Sequence, residues 1–165
     1  MKRGDLMKVN WGIIELGELF HIKKGKSISQ KNRIKGDIPY IGASLYNNGI
    51  IDFISYDSKS LQKNILGLNC DGSVGECFYH PYYCIFSEHV NRLQLKNQKG
   101  NKYLYLYFKT CILKQKNKYS FGYAFNDQRM KKQKIKVPIT ENNEVDYSYM
   151  ENYMRSIEKK LLLKK

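Results

Sequence analysis

Short apolar runs, broken at close intervals by glycine, asparagine and proline, fill the first 95 residues and limit what this chain can fold into. Ile38-Pro39-Tyr40-Ile41, then 50–54, 64–69, 75–79, 82–86 and 90–95 are each too short for a helix and are bounded by turn formers, which is the pattern of strands. Upstream, 11–22 reads as a short turn or helix followed by a strand, closed by Lys23-Lys24-Gly25-Lys26-Ser27. Strands that follow one another this closely pair antiparallel, so a twisted, barrel-like sheet is expected. The periodicity changes after residue 100. Leu104, Phe108, Cys111 and Ile112 fall at i, i+4, i+7 and i+8 behind Asn101, a good N-cap, which predicts a helix to about Lys116. A short helix over 127–132 and a last strand over 135–139 follow. From the N-cap Asp146, the residues Tyr147, Met150, Met154, Ile157 and Leu161 step by 3, 4, 3 and 4, a heptad seam on a C-terminal helix. The expectation is an α+β chain. A β-rich globular domain with flanking helices occupies 1–140, and a linker and helix occupy 141–165; 165 residues with 42% hydrophobic side chains suit one core plus an appendage.

The charge is unevenly placed. Residues 1–95 hold 12 basic and 9 acidic side chains, 96–136 hold 12 basic and the single acid Asp127, and 137–165 hold five of each, so +3, +11 and 0 make the net +14. A lysine-rich bias of the source would spread evenly. A concentrated excess predicts an electropositive surface that attracts polyanions. Lys102, Lys109 and Lys116 recur every seven residues and would share one side of their helix, free to line solvent or a phosphate backbone. No stretch approaches the roughly 18 apolar residues that span a bilayer, and the start 1–5 leads into no apolar signal region, so a cytoplasmic protein is expected.

Catalytic motifs are incomplete. Cys77, His80, Cys84 and His89 are zinc-ligand types at poor spacing, and thiols buried in apolar strands explain them better. The run 20–27 ends like a Walker loop but has Phe20 where the first glycine belongs, so the backbone cannot form the phosphate cradle. Ser73 in Gly72-Ser73-Val74-Gly75 lacks the spacing of a hydrolase elbow, and no Gly-x-Gly-x-x-Gly turn or Asn-Pro-Pro-aromatic segment serves base methylation. Glu158-Lys159-Lys160 matches the second half of a metal-dependent nuclease motif, but lies beside the heptad seam, where charged flanks are ordinary. No catalytic residue, metal or cofactor is assigned.

One succession of residues carries a resemblance. Trp11, then Leu16-Gly17-Glu18-Leu19-Phe20, Gly25, Ile38-Pro39-Tyr40-Ile41, Asn48-Gly49-Ile50, the 72–75 turn, Phe125-Asn126-Asp127-Gln128-Arg129 and Ile135-Lys136-Val137-Pro138-Ile139 resemble, in order and character, the target recognition domain of DNA specificity subunits. Such subunits belong to type I restriction-modification systems and to related type II enzymes. The resemblance implies a non-catalytic clamp in which two recognition domains each read half of a bipartite site. A pair of antiparallel helices holds them apart and docks methyltransferase subunits. This chain has room for one recognition domain, hence for a half-subunit whose C-terminal helix (Tyr147, Met150, Met154, Ile157, Leu161) would pair with a second copy or another half. Thr140-Glu141-Asn142-Asn143-Glu144 lacks the Pro and Gln usual after the last strand and is closer to the type II-like branch.

Base-edge recognition in double-stranded DNA needs paired donors and acceptors on loops, while Lys and Arg hold phosphates. The candidates are Ser44, Tyr46, Asn47, Asn48, Ser73 (with its neighbour Asp71), Lys118, Tyr119, Tyr123, Asn126, Gln128, Arg129, Lys131 and Lys132. Two rival readings remain at this point: an interaction or inhibitor module that grips restriction-modification subunits through its C-terminal helix, and a nuclease with an unrecognised carboxylate set.

Overall fold

The structure is a computed structural model that describes residues 9–55, 60–119 and 125–164. In chain order its strands are β1 (Asn10–Glu15), β2 (Phe20–Lys24), β3 (Ile34–Ile41), β4 (Ile50–Ser55), β5 (Ile65–Asn69), β6 (Cys77–His80), β7 (Ile85–Phe86), β8 (Val90–Leu95) and β9 (Lys134–Ile139). The helices are α1 (Leu16–Leu19), α2 (Lys102–Leu113), α3 (Asp127–Lys132) and α4 (Tyr147–Leu162). The fold is α+β, and its strands divide among three small sheets: β1-β9, β2-β8-β5-β6 and β4-β3-β7. Every pairing is antiparallel except the two-residue contact of β3 with β7.

One element departs from the sequence reading. The stretch 10–15 is a strand, with Trp11 opposite Pro138 and Ile14 opposite Ile135. Its partner lies 119 to 129 residues along the chain, so local pattern could not reveal it, and Gly12 allows the approach because a Cβ there would stand 2.8 Å from Ile139 Cγ2. The single turn of α1 then sends Leu16 and Leu19 inward.

β5 is buried along its whole length, and the strand period of two divides its side chains between two cores. Leu66 and Leu68 join Phe20, Leu93, Leu95, Leu104, Phe108, Ile112, Ile135 and Val137 in the main core beneath α2. Ile65 instead joins Ile41, Cys84, Phe86 and Val90 on the other face. Between them Gly67 admits Phe86 and His80, since a Cβ there would be 2.8 Å from the Phe86 ring and 3.0 Å from His80 Nε2. His80 is fully buried, edge-on to Phe86 at 5.1 Å. Burial, reinforced by the positive charge of Lys109, lowers its pKa to about 4, so it is neutral at pH 7.

α2 begins where expected. The Asn101 side chain accepts from Tyr103 N at 3.0 Å and Leu104 N at 3.1 Å. It ends at Leu113, a little earlier than the stripe suggested. α4 lies against α2 through one buried residue, Met150, with Tyr147 and Met154 packed on the same core. Polar contacts orient it. Asn101 Nδ2 donates to Glu151 at 2.9 Å, Tyr103 Oη donates to Glu158 at 2.7 Å, Lys102 pairs with Glu158, and the Arg155 guanidinium lies 4.1 Å from the Tyr103 ring centre. The seam therefore starts as core and ends in the open, with Leu161 62% exposed.

Two measurements test this arrangement. Met150→Ala should cost about 2–5 kcal/mol in urea unfolding, the range for a buried large-to-small change, whereas Leu161→Ala should lie within about 0.5 kcal/mol of the parent. His80 sets a pH window. The unfolded chain protonates near pH 6.5 but folded His80 only near 4, so stability is lost as pH falls between them, by on the order of 3 kcal/mol when complete. His80→Gln should flatten the dependence of the unfolding midpoint on pH across that interval.

Candidate nucleic-acid interface

Five separate parts of the chain are joined by a series of pairwise contacts. The 42–49 loop touches the 69–76 loop, where Asn69 Nδ2 donates to Ser44 O at 3.3 Å and Ser73 N to Ala43 O at 3.4 Å. The second loop reaches the turn before β8, with Cys70 N donating to His89 O at 3.0 Å and Asp71 paired with His89 at 3.2 Å. It also reaches the end of the α2 region, where Lys116 pairs with Glu76. β8 in turn meets α3, because Asn91 Nδ2 donates to Asp127 Oδ1 at 3.3 Å. Tyr119 stacks on Phe125 with ring centres 3.7 Å apart, which brings the two sides of 120–124 together.

The expected contact residues take different parts in this arrangement. Tyr46 is 73% exposed, and Asn47 is exposed beside it. Ser44 Oγ is used inside its own loop, accepting from Tyr46 N at 3.0 Å. Asn48 donates to Tyr82 Oη at 2.8 Å and to Tyr79 O at 3.1 Å. Ser73 is half-buried in a turn, its carbonyl accepting from Glu76 N at 3.2 Å. Asn126 Oδ1 caps α3 by accepting from Arg129 N at 3.0 Å. Tyr119 directs its hydroxyl to Gln133. Lys118, Tyr119, Gln128, Arg129 and Lys132 line one open groove, together with Gln133 and Lys134, which the sequence reading did not single out. Both lie in the lysine run that follows α3. Lys131 is exposed on α3, its backbone next to Gly17 of α1. Tyr123 lies outside the described residues.

The late lysines do not make one stripe, which corrects the expectation for Lys102, Lys109 and Lys116. Lys102 pairs with Glu158, Lys109 lies 5.3 Å over the Phe78 ring and Lys116 pairs with Glu76. On α2, Lys102 faces α4 and Lys109 faces β6, while Lys116, past the end of α2, meets the acid just before β6. Lys96 and Lys99 line a different groove with Lys63, and Lys114 and Lys136 line a third, between α2, α4 and β1. The charge excess in sequence is thus divided among several surfaces, one of them the groove beside α3.

The cysteines offer little reactivity. Burial pushes the Cys77 and Cys84 thiols up to about 12 and Cys111 up to about 11, so all three are protonated at neutral pH. Among the described residues no three His, Cys, Asp or Glu side chains gather as a metal-ligating group, and no helix is long and apolar enough to cross a membrane. The Glu158 carboxylate of the nuclease-like triplet is taken up by Lys102 and Tyr103.

The chain is 43% identical over 158 residues to the type II restriction enzyme specificity subunit S.BcgI of Heyndrickxia coagulans, an alignment covering 96% of this chain and 46% of that protein. Among solved structures, it is similar to the type I restriction-modification S subunit of M. genitalium, with a TM-score of 0.66, 18% identity and coverage of 98% of this chain and 42% of that one. It also resembles the HsdS subunit of Thermoanaerobacter tengcongensis, with a TM-score of 0.64, 15% identity and coverage of 99% and 41%. The chain thus spans less than half the length of these proteins. The family model for the type I restriction modification DNA specificity domain matches residues 8–164, and the chain belongs to that family.

Proposed function

We propose that this chain is a non-catalytic DNA-recognition module of a specificity subunit or half-subunit, which reads one half of a bipartite site and delivers a methyltransferase subunit to it. The observation that carries this reading is the joining of five chain segments by pairwise contacts, together with a groove lined by Lys118, Arg129, Lys132 and Lys134. Phosphate contacts along that groove would fix register, and exposed Tyr46, Asn47 and Gln128 would reach base edges. Residues 1–140 form the reading part, and 141–165 form the spacer. The spacer is suited to pairing because Ile157 is half-buried while Leu161, Leu162 and Leu163 are exposed beyond the last contact with α2. A relative with about twice the length of this chain supports a clamp completed by a second half. The reading places the protein in the cytoplasm, where its DNA and methyltransferase partners are.

Selection from a random-sequence duplex pool tests the core of the proposal: a short asymmetric half-site should be enriched, and a pool that stays random would end it. Replacing Lys118, Lys132 and Lys134 by alanine one at a time should weaken binding to all duplexes alike and lower the slope of log K against log salt by about 1 for each phosphate no longer neutralised. Pairing has its own readout. Ile157→Asp combined with Leu161→Asp should convert a dimer to a monomer in sedimentation, and should leave the folded domain intact because these positions contribute little to the main core.

A further inference from the structure

Asn48 has the side chain that best suits an adenine edge, and it stands in the loop that faces the proposed site. Its amide is already engaged. Nδ2 donates to Tyr82 Oη at 2.8 Å and to the Tyr79 carbonyl at 3.1 Å, and Tyr82 Oη stands 3.2 Å from Nδ1 of the fully buried His80. The backbone around it is unusual. Asn47, Asn48 and Gly49 follow one another with φ of 51°, 55° and 78°, a left-handed run that two non-glycine residues keep only when their surroundings hold it. Two backbone bonds close the loop, Gly49 N to Tyr46 O and Gly42 N to Gly49 O, each at 2.9 Å. Neither reaches a side chain at the tip. The neighbours differ from Asn48: Tyr46 and Asn47 are exposed, and Asn47 makes no side-chain hydrogen bond among the described residues.

We propose that Asn48 is a positioning residue for sequence recognition: it touches no base, and through Tyr82 and His80 it holds the 44–49 loop in the one conformation that presents Tyr46 and Asn47. The chain of contacts runs from the loop into the second core, because His80 packs edge-on against Phe86, and Phe86 belongs to the same cluster as Ile41 and Ile65. Base selectivity is thereby tied to the inner sheet and not only to the groups that meet DNA. This inference rests on the reading of the loop face as the base-contacting surface.

The test uses the full chain and three variants. Asn48→Gly keeps the left-handed backbone accessible while removing the amide. Tyr82→Phe removes a single hydroxyl remote from the loop tip, and Asn47→Ala removes the exposed amide. A duplex selected by the parent from a random pool and a scrambled duplex serve as probes at one salt concentration, with thermal melting as the fold control. Asn48→Gly and Tyr82→Phe should each lower the ratio of selected to scrambled affinity by about fivefold or more, the smallest effect of removing one good base interaction, and leave scrambled binding within about twofold. Repeated selection with either variant should loosen preference at several base positions at once, while Asn47→Ala loosens one. If Asn48→Gly alters a single position and Tyr82→Phe none, Asn48 reads a base directly and the inference is wrong. An unchanged ratio in both variants also overturns it. Failure of the parent itself to enrich any sequence removes the recognition reading beneath it, an outcome distinct from enrichment by a parent whose variants behave alike.

Discussion

The burial of β5 on both faces is the constraint on which the rest of the molecule depends. A strand with one wet face can tolerate change on that face, but every side chain from Ile65 to Asn69 is enclosed. Leu66 and Leu68 bind the sheet to α2, and through α2 to α4. Ile65 and the bare backbone of Gly67 accept Phe86, which brings β7, and with it β3 and β4, onto the opposite face. The strand ends at Asn69, so the position of the 69–76 loop follows directly from it, and so does that of the 42–49 loop bonded to it. A displacement of β5 by one residue would exchange the two cores and move the loop face as a whole.

The union of α2 and α4 is of a different kind. Met150, Tyr147 and Met154 supply the apolar contact, Tyr153 meets the Tyr107 ring edge-on at 6.1 Å, and the remainder is a set of polar bonds in which Glu158 receives Lys102 and Tyr103, and Glu151 receives Asn101 and, within α4, Arg155. These bonds hold the two carboxyl groups below the usual carboxylate range. Exposed ion pairs add little to stability, because solvent screens them and long side chains lose freedom in making them. Their directional character matters more. Three partners outside α4, Asn101, Lys102 and Tyr103, hold it at Glu151 and Glu158, about two turns apart, so the apolar end at Leu161 leaves the surface in a set direction. On the proposed reading of α4 as a spacer, which has to carry orientation, these contacts would do so.

Much of the fold is legible in the sequence because its signals are local. The short apolar runs at 64–69 and 90–95, the helical stripe through Leu104, Phe108 and Ile112, and the caps Asn101 and Asp146 all appear in the structure where sequence placed them, whereas Asn126, the cap of α3, stands in the sequence reading only as a contact residue. The strand at 10–15 is not legible, since only its distant partner β9 makes it one. The loops of the candidate site are marked by residue type, and type alone cannot tell Asn47 from Asn48. Adjacent and chemically identical, one is exposed while the other bonds to Tyr82 and Tyr79, and the difference lies in a left-handed turn and in residues 31 and 34 positions away. The expectation of open cations at Lys102, Lys109 and Lys116 fails for a similar reason: Lys116 falls beyond the end of α2, and the groups that meet the three come from α4, from β6 and from the loop before β6.

The division of charge bears on how strongly a single chain can hold DNA. A stripe of 12 cations would give a steep salt dependence and tight binding without any partner. The groove beside α3 presents Lys118, Arg129, Lys132 and Lys134, and four phosphate contacts correspond to a slope of only about −4 in log K against log salt, which leaves weak binding at physiological ionic strength. On the proposed reading, affinity is restored by joining two such modules. Each half then binds at the effective concentration set by the other, and that concentration is high only when the connection holds both in register. The contacts that orient α4 on α2 would serve this requirement. Weak grip by one half has a use as well, because a half-site occurs often by chance, and a clamp that holds only when both halves are satisfied distinguishes the full site from the many partial ones.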